Sequence, residues 1–260
     1  MRIAVFASGS GGNCLLLQSE GTNILLDAGI SARRLSKKLD ALSLSPREID
    51  GVLITHEHSD HISGLKTWLK RIPCPVYAPP LVAAFIASLV PESRDWLIRI
   101  RPDVPFRIGG LTARAFSTPH DTPQSVGYRI EGDAVFAAAT DMGHVTDEIA
   151  AGLLGADMVL IEANHDEEML RTGPYPFYLK KRILSANGHL SNANCAAMAA
   201  SLADSGTRTI VLGHLSAQNN LPSLAEKAVR EALGERDVSL YCAPADGCLY
   251  LSTEETECWL

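Results

Sequence analysis

Thr55-His56-Glu57-His58-Ser59-Asp60-His61 is the most informative stretch of the chain. It closes a short apolar run over residues 51–55 that reads as a strand. Four potential metal ligands, His56, His58, Asp60 and His61, fall within six positions. In a loop leaving a strand, His56 and His58 can turn to one side while Asp60 and His61 reach another. That arrangement can feed two adjacent metal ions. Imidazole suits zinc, iron, nickel or copper, and a carboxylate widens the range towards manganese. A lone histidine would read as an ordinary polar loop residue; four donors at this spacing do not.

Outward from this loop the apolar periodicity divides the chain into strands and helices. Residues 3–6, 14–18 and 24–27 read as a strand meander, with a Gly/Ser loop over 7–13. Residues 31–42 have helical spacing with Ser31 as N-cap. Beyond the loop, 61–71 and 81–90 read as helices and 76–78 as a strand. The middle is strand-rich: 106–108, 111–117, 125–131 and 134–140. Strands at 158–162, 209–212, 239–242 and 249–251 then alternate with helices at 178–186, 193–203 and 223–233. Both halves show strands followed by helices. The expected fold class is therefore α/β, a four-layer αββα sandwich formed by residues 1–260 as one domain, with two sheets face to face and helices outside. Polar residues on loops after strand ends would gather at one edge of it.

Composition narrows the class. Hydrophobic residues make up 46% and charged residues 20%, and the formal net charge is −7. A uniform basic coat for nucleic acid is excluded, although a local basic groove is not. No charged-then-apolar leader and no run near the length of a spanning helix stand out, so no membrane is expected. Cys14, Cys74, Cys195, Cys242, Cys248 and Cys258 are scattered without a CxxC pair, which suits reduced thiols in a cytoplasmic protein.

The pattern His56-x-His58-x-Asp60-His61 resembles the signature of the metallo-β-lactamase superfamily. Asp27 in Leu25-Leu26-Asp27-Ala28-Gly29, His120 in Thr118-Pro119-His120-Asp121, Asp141 in Thr140-Asp141-Met142-Gly143 and His214 in Gly213-His214-Leu215-Ser216 follow in the family's order. The resemblance implies two divalent metal ions, Zn or Mn. His56, His58 and His120 would hold one, and Asp60, His61 and His214 the other. Asp141 would bridge them and Asp27 would support the histidine loop without ligating. Taken alone, His120, Asp141 and His214 are ordinary loop residues; their order behind successive strands gives them weight. His165 is a second candidate beside the metals, ranked below His214, because the family's last ligand comes on the later strand.

Two further segments point to a branch. Gly188-His189-Leu190-Ser191-Asn192, about 25 residues before His214, is similar to the His-Ser or His-Thr of the superfamily's nucleases. The likeness is greatest to the YycJ/WalJ-type exonuclease branch, in Phe6–Cys14, Glu162–Asp166, Lys180–Ser185 and His214–Asn220. It implies a phosphodiesterase, a 5′-to-3′ exonuclease on double-stranded DNA. Asp60 would sit at the catalytic metals, His189 would be the general acid and Glu162 its orienting partner. The plainer alternative makes His189 a turn residue, with Ser191 capping the next helix. Lys180, Lys181 and Arg182, among Tyr175, Phe177 and Tyr178, are candidate substrate residues, or simply a solvated helix face. Ser10 in the glycine loop could help cradle a phosphate, or the loop could be a plain hairpin turn. Larger nucleases of the branch insert a clamp domain between the Asp and the final His. Here the interval from 141 to 214 has no room for one, so loops, a partner or a second subunit (a homo-oligomer) would hold the substrate. A small-molecule hydrolase of the same fold, acting on a thioester or lactone in the manner of glyoxalase II, is the alternative, and it would not need His189.

Overall fold

The computed structural model describes residues 1–253; Cys258 lies outside the described residues. The first half contributes β1 (Arg2–Ala7), β2 (Cys14–Ser19), β3 (Thr22–Leu26), α1 (Ala32–Ala41), β4 (Gly51–Leu53), α2 (Ser59–Ile62), α3 (Leu65–Leu69), β5 (Val76–Ala78), α4 (Pro80–Leu89) and β6 (Leu97–Arg99). The second half contributes β7 (Phe106–Ile108), β8 (Leu111–Ser117), β9 (Val126–Glu131), β10 (Val135–Ala139), α5 (Asp147–Leu153), β11 (Met158–Glu162), α6 (Glu167–Thr172), α7 (Phe177–Ile183), α8 (Asn192–Asp204), β12 (Thr209–Gly213), α9 (Pro222–Leu233) and β13 (Ser239–Cys242). The last strand, β14 (Leu249–Ser252), crosses back to pair with β1. The sheet orders are β14-β1-β2-β3-β4-β5-β6 and β13-β12-β11-β10-β9-β8-β7.

Side-chain alternation builds the layers. Along β1, Ile3 and Val5 enter the apolar layer between the sheets, and Ala4 and Phe6 the layer beneath α1, α3 and α4. Along β12, Val211 faces the central layer, while Ile210 and Leu212 pack with residues of α8 and α9. Both faces of both sheets are thus covered, which is why these strands read as near-continuous apolar runs. The result is the expected four-layer αββα sandwich. Strands β3 to β6 run parallel, as do β10 to β13. Their carboxyl ends therefore present loops at one edge, the usual place for a site in such sheets.

The helix expected over 61–71 is two short helices, α2 and α3. The break falls at Gly64, where a Cβ would lie 1.9 Å from the Ile30 carbonyl oxygen and where the backbone N–H donates to Ala28 O at 2.9 Å. Close approach of the loop after β3 decides this, and local propensity does not. The helix expected over 178–186 runs from Phe177 to Ile183, and β6, α5 and α6 carried no expectation. Ser31 does cap α1, accepting from the Arg34 N–H at 3.3 Å. Cys14 is a buried hydrophobe, its thiol held neutral by burial. Among the described residues no helix is long and apolar enough to cross a membrane.

Candidate metal centre

The polar residues singled out in the sequence collect at the carboxyl edge. Asp27 directly follows β3, and Asp141 follows β10 within two residues. His214 directly follows β12, and Glu162 is the last residue of β11. Asp27, Asp141 and His214 share one backbone feature: φ values of 60°, 57° and 54°, in the left-handed region that non-glycine residues seldom occupy. Such conformations persist where the surroundings over-determine them, and they cluster at functional sites. Here each turns the chain sharply as it leaves the sheet, aiming a donor at a common point.

Donor atoms gather within 4.8 Å of one another in overlapping groups: His56, His58 and His120; Asp60, His61 and His214; His56, His61 and Asp141; and Asp141, Glu162, His189 and His214. Asp141 reaches both of the first two. Its Oδ2 is 3.3 Å from His61 Nε2, and its Oδ1 is 3.5 Å from His214 Nε2 and 3.7 Å from His120 Nε2. The two halves of the chain meet here, since His56 to His61 come from the first sheet and His120, Asp141 and His214 from the second.

Four imidazoles are oriented through Nδ1. His61 Nδ1–H donates to Asp27 Oδ2 at 2.7 Å, and His214 Nδ1–H to Glu162 Oε1 at 3.0 Å. His120 Nδ1–H donates to Gly188 O at 3.3 Å. His56 Nδ1–H donates to Thr55 Oγ1 at 3.0 Å, whose own hydroxyl donates to Asp27. Each ring therefore turns Nε2 to the middle, the arrangement by which outer hydrogen bonds fix a metal-binding histidine. His56 Nε2, His214 Nε2 and Asp141 Oδ2 are buried and have no hydrogen-bond partner among the described residues. Leaving such atoms unpaired costs about 1–3 kcal/mol each, a cost that a bound cation would remove. The donor set and its orphaned atoms fit divalent metal ions.

The electrostatics are strongly coupled. Burial and the neighbouring His61 keep the His56 imidazole neutral, well below the usual histidine range. Burial opposes charge on His61 too, but the Asp27 and Asp141 carboxylates outweigh it and raise that ring well above its ordinary value. His214 is pushed up to about 10, since Asp141, Asp60 and Glu162 together override burial. Asp60 and Asp141 are held low against burial by the neighbouring His214 and His61 rings.

Glu162 is 0% exposed. Its Oε1 accepts from His189 Nδ1–H at 2.7 Å and from His214; its Oε2 accepts the backbone N–H groups of Met142 and Leu190 at 2.9 and 3.2 Å. Fully buried, it holds two imidazoles with one oxygen and two backbone N–H groups with the other. His189 remains partly exposed and lines the cleft beside the centre, stacked on His214 with ring centroids 5.3 Å apart. Burial opposes its charge, and the Glu162 carboxylate outweighs this and raises its pKa. Ser191 also caps α8, accepting from Asn194 N–H at 3.3 Å, so the capping reading of that segment holds beside the functional one.

His165 is not drawn into any of these donor groups. It is buried, bridges to Ser191 through the backbone, and neither ring nitrogen has a partner among the described residues. The basic cluster divides. Arg182 and Ser10 line the cleft with Asp121, Asn164, Tyr175 and Ser216, whereas Lys180 Nζ donates to Arg171 O at 2.7 Å and Lys181 points to solvent outside the lining. Arg182 Nε donates to Asp121, next to His120. The glycine loop spends its N–H groups internally: Gly9 N–H donates to Asn13 Oδ1, Gly12 N–H to Gly9 O, and Asn13 N–H to Asp60 O. These bonds make it a turn that braces the histidine loop, with Ser10 in the cleft lining.

Four residues at the centre had been given no role. Thr55 joins Asp27 to His56. The Asn13 amide nitrogen stands 3.2 Å from Asp60 Oδ2 and 3.0 Å from His61 Nε2. Ser8 Oγ accepts the His214 N–H at 2.8 Å, and Asn164 Nδ2 donates to His214 O at 2.9 Å. Only Thr55 carried a local signal, as the hydroxyl directly before the first histidine.

Comparison with known proteins agrees with this geometry. A family model described as "Beta-lactamase superfamily domain" matches residues 22–215. The exodeoxyribonuclease WalJ of Streptococcus pneumoniae (serotype 2, strain D39) is 34% identical over 245 residues, spanning 92% of this chain and 90% of the relative. The exodeoxyribonuclease YycJ of Bacillus anthracis is 33% identical over 240 residues, spanning 91% and 90%. Among solved structures, Zn²⁺-bound PqqB from Methylobacterium extorquens superposes with a TM-score of 0.70 at 22% identity, covering 96% of this chain and 99% of that one.

Proposed function

The chain belongs to the β-lactamase superfamily, and from that premise we propose that it is a two-metal phosphodiesterase, a 5′-to-3′ exonuclease on double-stranded DNA, working as a single domain. The observation that carries the reading is His189. Its Nδ1 is bonded to the sealed Glu162 carboxylate while the ring lines the cleft beside the metal-capable groups. A phosphodiester expels a basic alkoxide that needs a proton, whereas a thioester expels a weakly basic thiolate that needs it much less. Relatives that match nine-tenths of the chain carry the name exodeoxyribonuclease.

His56, His58 and His120 would hold one ion and Asp60, His61 and His214 the other, with Asp141 between them; zinc or manganese suits this His-rich, carboxylate-bridged set. When bound, such a pair supplies Lewis acidity at the phosphoryl oxygens and a water that ionises near neutral pH. Glu162 holds His189 Nδ1–H and so turns Nε2 to the cleft, where it gives its proton to the departing oxygen. Asp27 and Thr55 hold the histidine loop in register. Arg182 on α7 and Ser10 on the glycine loop, both in the cleft lining, bind the phosphate next to the scissile bond.

The test is hydrolysis of end-labelled double-stranded DNA with Zn²⁺ or Mn²⁺ supplied in parallel, beside Asp60→Ala and His189→Ala. Progressive shortening by the wild type, lost in both variants, is expected. A wild type that binds two metals and leaves DNA intact while cleaving a thioester or lactone would overturn the nuclease reading.

A further inference from the structure

Helix α7 forms one wall of the cleft. Leu179, Arg182 and Ile183 line it, as does Tyr175 just before the helix. On the solvent side stand Phe177 and Tyr178, 81% and 74% exposed, more than any other large hydrophobic side chain among the described residues. Burial of side chains of this size is worth about 1.5–3 kcal/mol each. Two adjacent aromatic rings left in water at the rim of a reaction cleft therefore form a surface with binding energy to give.

Contacts on the cleft side anchor the helix with these rings outward. Arg182 is tied to Asp121 across the cleft, next to His120. At its carboxyl end the His189 N–H donates to Ile183 O at 3.0 Å, and a Cβ on Gly188 would lie 2.1 Å from that same oxygen. The rings are thus held at a fixed place relative to His189 and the metal-capable groups.

Charge identifies the occupant. Residues four apart on a helix are neighbours on one face. Lys181 therefore follows Phe177, and Arg182 follows Tyr178, each cation one turn beyond a ring. Lys180, which breaks this spacing, is turned away to the Arg171 carbonyl. Paired ring-and-cation steps match a strand whose bases stack and whose phosphates are anionic. A second copy of the same face would set cation against cation, and a paired duplex offers no base faces except at its end.

We infer that Phe177 and Tyr178 form a base-stacking step at the mouth of the cleft, on which the unpaired bases of a DNA strand end lie while Lys181 takes the outer flanking phosphate and Arg182, on the cleft wall, the one further in. The inference rests on the nuclease reading for its substrate and goes beyond it: ends with unpaired bases are preferred to blunt ends.

The experiment uses the full, metal-loaded chain and a cleavage-resistant phosphorothioate oligonucleotide with 2-aminopurine at its 5′ end, either single-stranded or as a blunt duplex. Binding is read by anisotropy and base stacking by fluorescence quenching. The wild type should quench the probe and bind the single strand at least about tenfold more tightly than the blunt duplex. Phe177→Leu/Tyr178→Leu, apolar but without a π face, should lose both; Phe177→Trp/Tyr178→Trp should keep both. Both sites are exposed, so neither pair threatens the fold. Equal affinity and quenching in the Leu pair overturns the inference, as does wild-type self-association that the Leu pair abolishes with oligonucleotide binding unchanged. If the wild type shows the expected binding but leaves the ordinary phosphodiester oligonucleotide uncut, the nuclease reading fails and the stacking step stands. Cutting that the Leu pair leaves unaltered on frayed ends reverses that outcome.

Discussion

Asp27 leaves the third strand of the first sheet; Glu162 ends the eleventh strand, in the second. Both are buried carboxylates, and both accept from a histidine Nδ1 and from backbone N–H groups. Their reach differs. Asp27 serves one continuous loop: the Thr55 N–H and hydroxyl, and His61. Glu162 gathers three separate segments, with Met142 after β10, His189 and Leu190 before α8, and His214 after β12. In the first half, neighbouring positions in sequence already hold the donors together. In the second, nothing local does so, and one sealed carboxylate stands in for chain continuity. Support of the same chemical kind should therefore matter more in the second half.

The largest expected effect is at Glu162. Glu162→Gln keeps the volume but leaves one acceptor oxygen of two, so its NH₂ opposes either the two imidazole donors or the two backbone donors. Outer-shell partners of metal-binding histidines typically contribute 10–100-fold to affinity or activity. Because this one carboxylate orders two rings and two backbone N–H groups, kcat/KM for bis-p-nitrophenyl phosphate should fall by about 100-fold or more, and metal content measured on the purified protein should fall with it. Asp27→Asn releases one ring from a loop that its own backbone still shapes, so a loss of about tenfold is expected in the same assay. A larger loss at Asp27 than at Glu162 would break the comparison.

The same contrast explains what could be read before the structure was known. Strand ends were legible because a sheet covered on both faces is written as an apolar run, and each run stops at a polar residue that turned out to lie at the edge: Asp27, Thr55, Asp141, Glu162, His214. The histidine loop was legible as a local cluster. The split of residues 61–71 was not, because Gly64 is required by the Ile30 backbone brought in from another element. The α5 and α6 helices had usable signals in Thr146 and Asp166, which cap them, with acidic residues in the first turn. Their shortness left little periodicity to support those caps. The roles of Ser8, Asn13 and Asn164 depend on hydrogen bonds across long sequence separations, which no local pattern encodes. The run of Lys180, Lys181 and Arg182 reads as one basic patch, yet helical geometry sends its members three different ways.

Proton release gives the smallest and most discriminating measurement. In the metal-free protein, carboxylates outweigh burial at both His61 and His214, so both rings carry an extra proton at neutral pH, with His214 pushed up to about 10. His56 lies on the other side, kept neutral by burial and by His61, and has no such proton to lose. A cation entering must displace protons held above pH 7, so its apparent affinity should rise with pH and weaken on acidification. Titrating the metal-free protein with Zn²⁺ at pH 7 in weak buffer should therefore release about two protons, one from each of these rings. Asp27→Asn removes the main carboxylate holding His61 charged, and Glu162→Gln removes one of three doing so for His214. The release should therefore drop by about one proton in the first variant and by less in the second. That order is the reverse of the order expected for activity. Catalytic loss follows how many segments a carboxylate assembles, whereas proton release follows how many other carboxylates share the ring. Finding the same order in both measurements would mean that the two carboxylates act by charge alone, and that the assembly role assigned to Glu162 is wrong.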